Sequence, residues 1–230
     1  MSDDPPCLVA PPHSRRRGRP PRAPGDGDDV RDLLIRTGIA LLTEKGYVAT
    51  GLDEILRIAR VPKGSFYHYF DSKESFGLRL IDGYAAYFDR RLERFLCDDA
   101  RAPLDRLYAM IDDACAGMAR HAYRRGCLVG NLGQEMGALP ESFRQRLHDI
   151  LLGWQDRTAH CLHLARDAGD IAPRSSCADL AAFFWIGWEG AVLRAKLERS
   201  PVPLRLFQRV FIAGLHVPAG VARTRSASGE

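Results

Sequence analysis

The 230-residue chain lacks the features that would place it in a membrane or outside the cell. No segment reaches the roughly 18 consecutive apolar residues that a membrane-spanning helix needs. The amino terminus has no apolar segment after a basic start, so it does not read as a secretory signal. The six cysteines are widely spaced and form no CxxC pair. We therefore expect a cytoplasmic protein with free thiols and no contact with a membrane.

The sequence also lacks the signatures of common enzyme sites. It contains no phosphate loop, dinucleotide fingerprint or nucleophile elbow. His160 and His163 share a predicted helix face, but no nearby carboxylate or thiol completes a set of four metal ligands. We expect no catalytic activity, no cofactor and no metal site.

What the sequence does contain is helical periodicity. Apolar residues recur at the spacings of amphipathic helices from Val30 onward, and no alternating strand pattern occurs. The chain is therefore predicted to be all-α, with a three-helix amino-terminal domain over residues 29–76 and a larger helical body over residues 77–216. Residues 1–28 are rich in Pro, Gly, Arg and Asp and are predicted to form a disordered basic tail. Residues 217–230 are predicted to be a second flexible tail.

Two helix starts are predicted from pairs of N-cap residues. Thr50 with Asp53, and Asp71 with Glu74, each place a capping side chain three residues before an acidic one. Gly46 is expected to end the first helix. The remaining helices are predicted over about 63–70, 72–96, 103–123, 127–137, 140–168, 177–199 and 203–216.

The stretch VPKGSFYHYFDSKE, residues 61–74, combines aromatic and basic residues on one very short predicted helix. Phe66 and Phe70 share a face by their four-residue spacing, so they are expected to enter the core. The remaining face carries lysine, hydroxyl and imidazole groups, which can donate to phosphates or base edges. A short helix after a tight turn fits a helix-turn-helix whose second helix enters the major groove. The alternative is a helical corner packed by aromatic side chains.

Residues 30–76 resemble the DNA-binding domain of the TetR family of bacterial transcriptional regulators. The resemblance rests on EKGY at 44–47 and on TGLDEILRIARVPKGSFYHYFDSKESF at 50–76. It implies a homodimer that binds an operator with two-fold symmetry and is released when a small molecule binds the helical body. The sequence departs from the family at Gly51, where a polar residue is common, so Thr50 is expected to supply the phosphate contact. The expected contacts are Thr50, Lys63, Gly64, Ser65, Tyr67, His68, Tyr69 and Lys73.

The amino-terminal tail adds a run of arginines within HSRRRGRPPR. Gly18, Arg19 and Pro20 resemble the core of an AT-hook, an arm that lies in the minor groove of A·T-rich DNA. The alternative is a nonspecific basic tail that adds only phosphate affinity. Under both interpretations Arg15, Arg16, Arg17 and Arg19 contact DNA.

Two apolar stripes near the carboxyl end are candidates for the dimer interface. In the family resemblance the last two long helices of each protomer pair as a four-helix bundle. Small residues such as Gly187 and Ala191 would permit close approach of the helices. The alternative is ordinary core within one protomer. The expected interface residues are Phe184, Gly187, Trp188, Ala191, Phe207 and Phe211.

The segment GCLVGNLGQEMG, residues 126–137, has glycines at positions where an uninterrupted helix would not place them. This pattern indicates a close approach or the edge of a cavity. The segment is similar to a TetR subgroup whose members respond to acrylate and to reactive electrophiles, which implies a small unsaturated or carboxylate-bearing effector. The expected pocket residues are Tyr108, Cys115, Tyr123, Cys127, Asn131, Glu135, Trp185, Trp188 and Glu189.

Two alternatives to a reversibly binding effector remain open at this point. Cys115 and Cys127 have basic neighbours in the sequence and could be thiolates attacked by an electrophile. The protein could also be an architectural DNA-binding protein that uses its arginine tail without any effector.

Overall fold

A computed structural model describes residues 26–215, and all the regular structure of that range is helical, as predicted. Within it, no helix is long and apolar enough to cross a membrane. The elements are α1 Asp26–Lys45, α2 Leu52–Ala59, α3 Lys63–Phe66, α4 Lys73–Leu96, α5 Pro103–Arg120, α6 Leu128–Gln134, a 3₁₀ turn Met136–Ala138, α7 Glu141–Asp167, α8 Cys177–Glu198 and α9 Val202–Leu215.

One predicted segment boundary differs from the structure, whereas the helix predicted over 72–96 crosses residue 76 in the structure as it does in the prediction. Helix α1 begins at Asp26, inside the segment expected to be a tail. Helix α4 runs without a break across residue 76, so the amino-terminal unit and the body share one helix. A movement of the body along α4 is therefore passed directly to the amino-terminal unit.

Helices α1 to α3 form a compact corner over the first turns of α4. Phe66, Phe70 and Phe76 pack together with ring centroids 4.6 to 5.2 Å apart, which confirms the predicted inward face. Helix α1 ends as predicted at Gly46, whose φ of +83° suits glycine. Arg60 ends α2 in the left-handed region, and its N–H donates to Arg57 O. This tight turn sets the angle between α2 and α3.

Both predicted N-cap pairs were wrong, because α2 begins without a side-chain cap and a neighbouring residue caps α4. Helix α2 starts at Gly51 without a side-chain cap, since the Thr50 hydroxyl donates instead to Gly46 O at 2.6 Å. Helix α4 is capped by Ser72, one residue after Asp71. Ser75 N–H donates to Ser72 Oγ, and Ser72 N–H donates to Ser75 Oγ. This reciprocal pair satisfies two N–H groups that would otherwise lack partners.

The body packs α4, α5, α7, α8 and α9 around aromatic side chains. Trp154 of α7 and Trp185 of α8 are buried with ring centroids 5.0 Å apart. Trp185 Nε1 donates to the Thr158 hydroxyl at 3.1 Å, which satisfies its buried N–H. This buried cluster packs α7 against α8 in the core of the body.

Candidate functional site

The outward face of the α2–α3 corner presents the residues that the sequence analysis assigned to it. Lys63, Gly64 and His68 are exposed, and Tyr67 is 55% exposed. A Cβ added to Gly64 would meet no atom within 4 Å, so another molecule can approach the backbone closely there. Ser65 and Tyr69 are half-buried. The corner is therefore an open, polar and aromatic surface.

Two lysines of this corner have defined positions. Lys63 Nζ lies 3.1 Å from Asp53 Oδ1, which holds it beside α2 and raises its pKa. Lys73 Nζ lies 4.4 Å from the centroid of the Tyr47 ring, and the Tyr47 hydroxyl donates to Lys73 O at 3.2 Å. Tyr47 thereby fixes the first turn of α4 against the end of α1.

The expected phosphate contact from the Thr50 side chain is wrong. Thr50 is 1% exposed, and its hydroxyl donates inward to Gly46 O. The side chain stabilises the turn between α1 and α2 and does not face outward. The tail arginines Arg15, Arg16, Arg17 and Arg19 lie outside the described residues.

A cavity of about 540 Å³ opens between α1, α4, α5 and α8. Only Cys127 and Trp188 of the expected pocket residues line it. Tyr108 lies exposed on α5, and Trp185 belongs to the aromatic core. Cys115 and Tyr123 also lie away from the lining. The sequence did not indicate the lining of this cavity, because a periodic pattern shows which residues are apolar but not which of them border a cavity.

Asn131 and Glu135, also expected in the pocket, instead join α6 to the amino-terminal unit. Asn131 Nδ2 donates to Leu42 O and Thr43 O at 3.1 and 2.8 Å. Glu135 Oε2 accepts the backbone N–H groups of Tyr47 and Val48 at 2.9 and 3.0 Å. Helix α6 thus supplies partners for the last carbonyls of α1 and for the turn that follows it.

Three titratable groups meet where α6 begins. Tyr84 and Cys127 line the cavity, and Glu189 lies beside them outside its lining. The Cys127 thiol lies between the Tyr84 hydroxyl and the Glu189 carboxyl. Glu189 Oε1 is buried and accepts no hydrogen bond from residues 26–215. Burial raises the pKa of Glu189 to about 7. Burial also raises the pKa values of Tyr84 and Cys127 well above their ordinary values, and the Glu189 charge adds to the shift of Cys127.

The glycines of the 126–137 segment are explained by close approaches at two positions. A Cβ on Gly130 would lie 1.9 Å from Glu189 Oε2, and one on Gly126 would lie 2.8 Å from the Lys196 side chain. Gly133 has open space around it. The first two glycines therefore let the start of α6 lie directly against α8.

The sequence analysis missed the charged rim of this cavity. Five arginines from four different segments line it, together with His121, and no aspartate or glutamate of the described chain does. The basic pairs at 90–91 and 120–121 were visible in the sequence. Nothing in the sequence showed that they meet. The arginines are Arg36, Arg90, Arg91, Arg120 and Arg125.

The expected dimer stripe is partly core. Phe184 and Trp188 are buried within one protomer, and a Cβ on Gly187 would lie 2.5 Å from Phe207 of the same chain. Helix α8 is apolar on nearly every side, so periodicity could not separate its inner and outer faces. Ala191 and Phe211 are also buried, but both border an apolar groove of about 590 Å³ between α8 and α9. The exposed apolar side chains that line this groove are Phe183, Val202, Leu206 and Val210, and α8 also exposes Ile186 and Leu197.

Two family profiles match the chain. Residues 34–79 match the bacterial regulatory proteins of the tetR family, and residues 103–211 match the tetracyclin repressor-like C-terminal domain. The first match covers the α2–α3 corner, and the second covers the cavity floor and the groove.

Individual relatives match over most of the chain. Transcriptional regulator AcuR of Cereibacter sphaeroides is 53% identical over 211 residues, which are 92% of this chain and 94% of the relative. The HTH-type transcriptional repressor DhaR of a Mycobacterium species is 34% identical over 81% of this chain and 92% of its own. A crystal structure of regulatory protein TetR from Rhodobacter sphaeroides has a TM-score of 0.79 at 54% identity, covering 80% of this chain and 97% of its own.

The buried carboxyl of Glu189 predicts a specific pH dependence of stability. Its folded pKa of about 7 exceeds the ordinary value of 4.5. Between these values the folded state keeps a proton that the unfolded state has lost, so stability falls as pH rises from about 4.5 to 7 and levels off above. The loss is on the order of 3 kcal/mol. Glu189→Gln should remove this slope in urea unfolding measured from pH 5 to 8.

The matched control for this experiment is Glu198→Gln, a change at an exposed position on the same helix. It should retain the slope of the wild-type protein. A slope that Glu189→Gln leaves unchanged would show that the Glu189 carboxyl is ionised throughout this range.

Proposed function

The chain belongs to the TetR family of bacterial transcriptional regulators, and from that premise we propose that it represses transcription as a homodimer released from its operator by a small organic anion. The observation that carries this proposal is the pair of α6 contacts. One helix begins at the floor of a cavity, at Cys127, and ends with Glu135 holding the DNA-facing unit. Cavity and corner are therefore mechanically joined.

The α2–α3 corner has the chemistry of a major-groove surface. Tyr67 and His68 can donate to phosphates or base edges, and Lys63 adds positive charge. The exposed backbone at Gly64 allows DNA to approach without a steric barrier. Lys73, held over the Tyr47 ring, can reach a neighbouring phosphate from the first turn of α4. Two such corners, related by a dimer axis, fit an operator with two-fold symmetry.

The groove between α8 and α9 supports a second copy of the chain as its occupant. Most of the exposed side chains that line it are aliphatic or aromatic, with Arg194 and Glu198 as the charged exceptions. Water solvates such apolar side chains poorly. A two-fold axis would bring α8 and α9 of one protomer against the same helices of the other. Gly190, which has no atom within 4 Å of an added Cβ, leaves room for the partner helix.

Coupling between effector and DNA would run through α6. A ligand that displaces Cys127 or the adjoining backbone moves the start of this short helix. Asn131 and Glu135 would then pull on the end of α1 and the turn after it. Because α1 packs on both α2 and α4, a shift there changes the position of α3 and hence the spacing of the two corners.

The chemistry of the cavity supports noncovalent recognition of an acid such as acrylate. The arginine rim attracts anions, and the lining around it contains no aspartate or glutamate of the described chain that would repel them. The thiol mechanism has less support, because the raised pKa of Cys127 leaves its sulfur protonated and poorly nucleophilic. Cys115 is also buried with a raised pKa.

Operator binding is tested with DNA from upstream of the protein's own gene. The wild-type protein should shift this DNA specifically, and acrylate should reverse the shift. Tyr67→Ala should weaken the binding by about 1–3 kcal/mol, roughly 5- to 150-fold, because it removes an exposed donor from the groove-facing corner. Tyr108→Ala, a change at an exposed tyrosine of the body, serves as the control. Equal affinities in the two variants would remove Tyr67 from the interface.

The coupling role of Glu135 is tested by Glu135→Gln. An amide accepts the Tyr47 and Val48 N–H groups less strongly than a carboxylate does. Titration calorimetry should show that the affinity for the effector is unchanged. The factor by which the effector weakens operator binding should be at least about fivefold smaller than in the wild-type protein. Fivefold is the lower limit of typical coupling between two sites. Glu141→Gln, at an exposed position at the start of α7, is the control. A wild-type ratio in Glu135→Gln would exclude this contact as the link.

The dimer face is tested by Ile186→Arg. Ile186 is 71% exposed on the outer side of α8, so arginine is tolerated in the monomer but would be buried without a partner in the dimer. Sedimentation should show a monomer, with operator affinity reduced at least about tenfold. Leu152→Arg, at an exposed position on α7, should stay dimeric. A dimeric Ile186→Arg protein would place the interface elsewhere.

A further inference from the structure

The cavity is larger than a free three-carbon acid requires. Its volume is about 540 Å³. Acrylate has five non-hydrogen atoms, and at roughly 30 Å³ for each, the share of one water molecule in the liquid, it would fill about 150 Å³. Such a ligand would occupy less than a third of the cavity volume. The rest of the cavity is therefore available to a further part of the ligand.

The lining carries more positive charge than a ligand with a single carboxylate would need. Five arginines border the cavity, and the described chain contributes no acidic residue to its lining. Arg91 pairs with Asp113, and Arg125 lies 3.9 Å from Glu44, both carboxylates outside the lining. Among the side chains of residues 29–215, no carboxylate forms an ion pair with Arg36, Arg90 or Arg120. A cleft of one charge sign concentrates counter-ions of the other.

The polar and apolar parts of the lining are separated. Arg36, Arg90 and Arg120 are exposed at the mouth. Tyr84, Phe88 and Trp188 are buried deeper and give the interior an aromatic surface. A fitting ligand therefore carries several negative charges on one end and a short, mostly apolar group on the other.

Resting on the proposed function, we propose that the effector is a short acyl group carried as a thioester on a phosphate-bearing carrier of the coenzyme A type. The acyl end lies against Tyr84 and Trp188, and the phosphates lie among the arginines of the rim. Guanidinium groups bind phosphate through paired N–H donors, so several arginines around one opening suit this chemistry.

The rim also connects phosphate binding to the DNA-facing unit. Glu44, near the end of α1, pairs with Arg124 and approaches Arg125, and Gly126 N–H donates to Thr43 O at 3.0 Å. The connection before Arg124 places two non-glycine residues, Ala122 and Tyr123, in the left-handed region, a strained arrangement. A phosphate that draws Arg125 toward the cavity weakens its attraction to Glu44 and loosens the end of α1.

The experiment is titration calorimetry of the full chain with propionyl-coenzyme A, free coenzyme A and sodium acrylate. Propionyl-coenzyme A should bind at least about tenfold more tightly than either of the others, a difference in Kd that this method separates readily. Its affinity should fall as KCl is raised, because the contacts at the rim are ionic. Equal binding of free coenzyme A would overturn the placement of an acyl group in the interior.

Rim variants test the position of the phosphates. The triple change Arg36→Ala, Arg90→Ala and Arg120→Ala should weaken propionyl-coenzyme A binding at least about tenfold and flatten the salt dependence. Arg79→Ala, Arg94→Ala and Arg174→Ala, which remove three exposed arginines outside the lining, should leave both unchanged. Equal effects of the two triple variants would overturn the assignment of the rim.

Operator binding by the same preparations separates this inference from the function on which it rests. A specific DNA shift, together with acrylate binding as tightly as propionyl-coenzyme A, would overturn the ligand class and leave the repressor in place. Absence of a specific shift would overturn the repressor function, and the calorimetry would still decide the ligand class. Absence of propionyl-coenzyme A binding overturns this inference in either case.

Discussion

The position of the DNA-facing unit depends on how the carboxyl end of α1 is satisfied. The last carbonyls of any helix have no partner within the helix, and a buried carbonyl without one is destabilising. Here Leu42 O and Thr43 O accept from Asn131 Nδ2, and Thr43 O also accepts from Gly126 N–H. The N–H groups beyond them are taken by Glu135. The end of α1 is thus completed by another part of the chain, and wherever α6 moves, α1 must follow or lose these bonds.

The same segment is built around an unfavourable feature. A carboxyl is buried at Glu189 with one oxygen unpartnered, and α6 must carry glycine at position 130 to make room for it. A glycine in a helix and a buried acid each lower stability. Neither feature is needed to join α6 to α8, since two apolar side chains would do that better. Their occurrence together, next to Cys127 of the cavity lining, is the pattern expected where stability is given up for function.

The sequence predicted those parts of the structure that follow from local chemistry. The inward face of Phe66 and Phe70, the end of α1 at Gly46 and the sequence of helices all follow from spacing and backbone preference. Thr50 and Asp71 were misassigned as caps because Gly46 O and Ser75 are competing partners that only the folded turn brings close. The pocket was mostly missed because its rim joins residues more than 80 positions apart, and periodicity carries no information on such contacts. Asn131 and Glu135 were correctly singled out, but for the wrong task.

Helix α8 shows why an outer face, a cavity lining and the contacts to α6 are difficult to distinguish in the sequence. Its outer side is exposed at Ile186 and at Phe183, which lines the groove, while Trp188 and Val192 line the cavity. A third stripe carries Glu189 and Lys196, and Lys196 Nζ donates to Asn131 Oδ1 at 3.0 Å. A helix with three apolar or buried sides shows no clear amphipathic period, so its pattern could not assign the sides. The same arrangement means that a ligand against Trp188 touches the helix that also contacts α6 and would contact the second protomer. Under the proposed function, effector binding, dimer geometry and the contacts that hold α1 would therefore all depend on α8.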